Sequence, residues 1–312
     1  MRKFLCLRAL VAIVIATLGV SDSFAQTGVE EQLVFLGTTM TKENGNKLDS
    51  ERKWVKSGTV KFDADTRTIT LENAEIVVTA ENCPQYQSES GTWYPVIGTF
   101  RFYCPVDKIT VKLIGKNSIK TTQTGFVMLT YQEAESVDID MIGGGSLTID
   151  AGLNGIDDRH IGKLTIKDVD MDIRADRCGL CGGNISRLIV DNSNVKSEAK
   201  YGAICAFKKF TMKGVKCVSP VPDPNATEED KKDPNSTKTV SFDKGGVTNA
   251  YGTPWDIAVL VRETAGIDAK PSVKNNATVV AVYDVSGRLL KDLQKGINIV
   301  RYSDGSIKKV IK

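Results

Sequence analysis

Four short segments of this 312-residue chain fit one template. ITLENAEI from Ile69, LTIKDVDM from Leu164, LIVDNSNV from Leu188 and FTMKGVKC from Phe210 place apolar residues first, third and eighth. The opening three places alternate as a strand does. The fifth place holds Asn73, Asp168, Asn192 or Gly214, residue types that tolerate a left-handed backbone. Each segment therefore reads as a strand that bends once and resumes with a new inward face. ITVKLIGKNSIKTT from Ile109 aligns with VDIDMIGGGSLTID from Val137, which sets Gly115-Lys116-Asn117 opposite Gly143-Gly144-Gly145. The triple glycine is then a corner. A phosphate loop needs a helix behind it, and the following Ser146–Asp150 stretch alternates like a strand.

Taken as coil starts, positions 137, 164, 188 and 210 advance by 27, 24 and 22 residues. That period predicts an all-β parallel β-helix over 26–218, in which each coil pairs with the next and like residues form columns. A β-sandwich is the competing reading of many short strands. The solenoid is preferred because residue types match in columns at coil length.

Residues 1–25 read as an export signal: Arg2, Lys3 and Arg8, an apolar run, and Ser23-Phe24-Ala25 before the expected cut. Removing them takes the formal charge from +3 to about +1, which argues against a nucleic-acid partner. No later run reaches the roughly 20 apolar residues of a membrane-spanning helix. Six cysteines remain after Cys6 is lost, an even number that favours disulfides in an exported chain. Residues 219–239, rich in proline and charge, read as a flexible excursion. Residues 240–278 read as an end-of-stack strand and linker, and 279–312 as a small antiparallel module punctuated by Ser286-Gly287, Lys295-Gly296 and Asp304-Gly305.

VKFDADTRTITLENAEI, ITVKLIGKNSI and GGGSLTI resemble the bacterial exported right-handed β-helix family described as carbohydrate-binding, a solenoid shaped like pectate lyases. VYDVSGRLL and KGINIV resemble the C-terminal sorting domains of exported Bacteroidetes proteins. The resemblances imply a secreted, cell-surface or outer-membrane-associated binding protein handled by outer-surface sorting machinery, with polysaccharide or host glycan as ligand and no catalysis. Two alternatives stand beside this: a polysaccharide lyase or hydrolase on the same scaffold, and a structural or adhesive surface protein that binds other proteins.

Candidate sites follow from residue type. Residues 83–104 form an insertion bounded by Cys83 and Cys104, whose bridge would close a loop carrying Tyr86, Trp93, Tyr94 and Tyr103. Aromatic rings suit the apolar faces of sugars. The bland reading makes them the loop's own core. Asp150, Asp170 and Asp172 are expected outward on neighbouring coils, where stacked carboxylates would hold Ca²⁺ unless Lys196 and Lys216 neutralise that face. Asp138 and Asp140 precede the bend and face elsewhere. Cys178-Gly-Leu-Cys181 has metal or redox spacing, but no second pair and a single histidine leave structural pairing, with Cys205 on the next coil, as the expectation. Cys217 reads as a buried free thiol. His160, beside Asp157, Asp158 and Arg159, would be the acid/base group of a lyase or a solvated loop histidine.

Overall fold

A computed structural model describes residues 32–49, 52–88, 90–103, 108–129, 137–160, 162–183, 185–263, 278–284, 288–303 and 307–311. The expected signal, Cys104 and residues 264–277 lie outside the described residues. There is no helix among those described. The chain divides into two compact units, 1–262 and 263–312.

In the first unit, alternation drives one side of each strand inward, and three columns of parallel strands result. The first face stacks Lys108–Ile114, Val137–Ile142, Gly162–Lys167, Ser186–Asp191 and Lys209–Lys213. The second stacks Lys116–Thr121, Ser146–Ala151, Asp170–Ala175 and Asn194–Ala199. The third stacks Gly98–Tyr103, Thr124–Leu129, Ile156–Arg159, Leu180–Gly182 and Ile204–Cys205. This is the all-β parallel β-helix. Its first coil covers two faces with one strand, Thr68–Val78, whose first half pairs with Lys108–Ile114 and whose second half pairs with Lys116–Thr121.

The bends fall where the template places them. Asn73, Asp168, Asn192 and Gly214 all have positive φ, between 45° and 56°. Gly143 and Gly144 are also left-handed, and a Cβ on Gly143 would stand 2.4 Å from the Leu113 carbonyl oxygen. The triple glycine is a corner between two strands.

The register corrects the sequence alignment by two residues. Ile109, Ile139, Leu164, Leu188 and Phe210 form one column, so the coils advance by 30, 25, 24 and 22 residues, and Ile139 rather than Val137 begins the repeat. Gly145 lies over Gly115, and Leu147 over Asn117. Ile69 likewise stacks on Val111, and Ile76 on Ile119. A slip of one residue reverses every side chain, whereas a slip of two keeps the faces. The inward residues were therefore read correctly despite the offset.

The interior is a continuous apolar stack, with Phe35, Phe100 and Phe126 in ring contact at 5.0 and 4.9 Å. Asn117 is the polar exception in its column. Buried, it accepts the Ala74 N–H at 2.9 Å and donates to the carbonyls of Ile114 and Ser146, each at 3.2 Å.

Antiparallel strands cover the first coil, and at the far end they cover the second face, while Lys209–Lys213 and Ile204–Cys205 stay the terminal strands of their sheets. Gln32–Phe35 pairs with Gly98–Tyr103, and Val55–Asp63 with Thr68–Val78. At the far end Ile257–Arg262 runs antiparallel between Asn194–Ala199 and Val215–Ser219. Cys217 stays level with Val195 through Leu260, half-buried rather than fully enclosed. The excursion at 219–239 carries defined turns, with the Asp223 N–H on the Lys238 carbonyl and Lys238 on Asp230. Asn249 ties it back by donating to the carbonyls of Pro234 and Ser236.

The second unit is a four-stranded antiparallel sheet of Val279–Tyr283, Leu289–Leu290, Ile297–Tyr302 and Ile307–Ile311, packed on Val282, Leu290 and Val300.

Candidate functional site

Only residues 85–95 of the expected 83–104 insertion fold as a hairpin, because Gly98–Tyr103 already belongs to the third face of the solenoid. Gln85–Gln87 and Trp93–Pro95 pair antiparallel, with Tyr86 opposite Tyr94 and Gln87 opposite Trp93. Directly opposed residues share a face, so Tyr86 and Tyr94 stack at 5.8 Å on one side and Trp93 stands on the other. Trp93 is 59% and Tyr94 45% exposed. Tyr103 is separated from them by burial: at 1% exposed it lies under the Arg101 guanidinium, 4.7 Å from its ring centre. Three of the four aromatic candidates thus belong to the hairpin, and the fourth is packing. Cys83 is buried; its expected partner Cys104 is outside the described residues.

The three aspartates do not stack on one another. Asp150 lies between Lys120 and Arg174, Asp172 between Thr148 and Lys196, and Asp170 between Ser146 and Asn194. Arg262 closes on Asp170 at 3.0 Å, and Glu198 follows Arg174. Asp150 has Lys120 and Asp170 has Arg262 and Asn194 for partners, Asp172 is level with Lys196 but keeps one buried oxygen without a bond, and the two-residue slip moves Asp150 out of the column of Asp172. The first face repeats the pattern, with Lys108 2.8 Å from Asp140 and Lys163 2.6 Å from Asp138.

His160 is not a solvated loop residue. It is 1% exposed, with Nδ1 bonded to Asp158 and Nε2 2.9 Å from the Val137 carbonyl oxygen. Val137 is the first residue of the preceding coil's strand, so the histidine pins one turn to the last. Asp158 is fully buried with one carboxyl oxygen unpartnered. Burial pushes its carboxyl above the ordinary range, and the bond from His160 pulls the other way.

A second cluster was visible in the sequence only in part. Cys181 and Cys205 are register partners on the third face, and the corner before Leu180–Gly182 brings Cys178 beside them. The three sulfurs all lie within 4.8 Å of one another, and all three are thiols. Hydrogen bonds from Cys205 and then Cys181 lower the Cys178 thiol to about 6, and the same contacts raise Cys205. Asp157 stands in the Cys181 column, one coil back, and binds Arg159 through both oxygens at 2.8 and 2.9 Å. Asn154 links the group, donating to Asp157 and accepting the Cys178 N–H, each at 3.2 Å. The signal for this cluster was the 24-residue step from Cys181 to Cys205, one coil in length.

No protein-family model, curated protein or solved structure matches the chain. The class defined by fold and surface is a capped parallel β-helix bearing an aromatic hairpin and a three-thiol cluster.

Proposed function

We propose that the chain is an exported cell-surface or secreted protein that binds polysaccharide or host glycan without cleaving it. The observation that carries this reading is the hairpin, whose Tyr86–Tyr94 stack and exposed Trp93 offer aromatic faces on two sides. Sugar rings present apolar C–H faces to such groups, while their hydroxyls reach polar edges. Fold supports the reading only as a scaffold, since function belongs to the site carried on it. Export and sorting rest on the residue patterns of the leader and tail.

The lyase alternative draws nothing from His160, because both of its ring nitrogens are engaged inside the protein. The test is retention of the protein on a panel of plant, microbial and host polysaccharides, with cleavage assayed in the same mixtures. Tyr94→Ala and Trp93→Ala are each expected to weaken retention up to about tenfold, the worth of one aromatic contact. Full retention by the double variant would remove the hairpin from the proposal, and chain cleavage would replace binding with catalysis.

A further inference from the structure

We propose that Cys178, Cys181 and Cys205 form a thiolate site for a thiophilic d¹⁰ cation such as Zn²⁺ or Cu⁺, held at the last full coil of the helix. Three soft donors converge, two from one coil and one from the next, with every sulfur within 4.8 Å of the others. At about 2.3 Å per metal–sulfur bond, three thiolates around a trigonal ion stand about 4.0 Å apart. A contraction of at most about 0.8 Å between sulfurs closes the site.

The stacked geometry disfavours the disulfide that an exported chain would otherwise form between Cys181 and Cys205. In-register residues on parallel strands stand about 4.8 Å apart in backbone, inside the Cα range of a disulfide, but their side chains leave the sheet side by side and do not converge to the Cβ separation of about 3.8 Å that a disulfide prefers. A metal bridges the wider gap without pinching the ladder. The fold also clears space for the third sulfur: Gly202 has φ +143°, and a Cβ there would stand 2.9 Å from the Cys205 Sγ. Soft thiolate ligands select such ions over the hard cations that bind carboxylates.

The test uses the full chain, reduced under anaerobic conditions and titrated with Cd²⁺ as the spectroscopic probe. A cadmium–thiolate charge-transfer band saturating at one equivalent, displaced by Zn²⁺ or Cu⁺, is expected. Cys205→Ser should weaken binding by more than about tenfold, the lower bound set by loss of an outer partner alone. Cys217→Ser, outside the cluster, should leave the titration unchanged. The far-ultraviolet circular dichroism of each apo variant confirms that the fold is intact, and Cys178→Ser repeats the test at a less buried position. A titration without saturation, or one insensitive to both serine variants, overturns the site. So does a Cys178–Cys181 disulfide that forms in air in the presence of one equivalent of Zn²⁺, read by alkylation and mass measurement.

Discussion

Asn192 lies directly over Asp168 at the same corner of successive coils, its Nδ2 2.5 Å from the Asp168 Oδ1, and both residues have left-handed backbones. The bend and the bond that stacks it come from the same two side chains. Asn192→Ala loses both and is expected to destabilise the protein by about 1–2 kcal/mol. Asn192→Gly keeps the backbone and should lose less. Denaturant midpoints of the two variants measure the difference, and equal losses would show that the backbone is not the larger part.

His160→Ala removes the side-chain partner of the buried Asp158 carboxyl and the pin to Val137. A loss of about 3 kcal/mol is expected. The sign with pH follows from the upward push on Asp158. A carboxyl raised by burial favours the folded state below its unfolded value, near 3.9, and loses that contribution as pH rises through the folded value. The His160→Ala variant should therefore lose stability toward neutral pH, and adding Asp158→Asn should flatten the slope. An unchanged slope in the double variant would place its origin elsewhere.

With its thiol lowered to about 6, Cys178 should be alkylated fastest of the described cysteines in metal-free protein at neutral pH. Its rate should reach half-maximum near pH 6, while Cys83 and Cys217, raised by burial, react only at alkaline pH. Cys205→Ala should move the Cys178 midpoint upward. Peptide mapping after a short pulse of iodoacetamide reads all of these together.

Asp230 is held at about 2 by the Thr227 N–H, by Lys238 and by the Thr227 hydroxyl. A lowered carboxyl contributes above its unfolded pKa and loses that contribution as pH falls through the folded one. The turn at Thr227–Asp230 should persist to about pH 4 and open toward pH 2. Carbon chemical shifts of the Asp230 carboxyl would report it, and Lys238→Met should raise the midpoint.

The inward pattern was legible because strand alternation and left-handed corners are local properties. Ile69, Leu164 and Leu188 could be placed inside, and Asn73, Asp168 and Asn192 at bends, from residue type alone. Register is not local. Glycines at 143, 144 and 145 made Val137 look like the partner of Ile109, when the ladder pairs Ile109 with Ile139. That error of two left the faces intact but moved the carboxylates, so Asp150 was matched with the wrong neighbours. Burial outside the repeat was also invisible. Tyr103 falls inside the insertion as its two cysteines bound it, yet it is part of a third-face strand, and His160 is held from across a coil by Val137. Asn117 reads as a corner residue until Ala74, 43 residues earlier, is found to donate its N–H to it.

The returning strand Ile257–Arg262 occupies the place on the second face where the next coil would pair. Direction is what matters there: a parallel stack cannot be continued on a strand that runs the opposite way without changing its pairing pattern. The solenoid thus carries its own full stop. On this face an added coil, whether by gene duplication or by design, must be spliced in before Asn194, and another chain's strand arriving here meets a ladder of the wrong polarity.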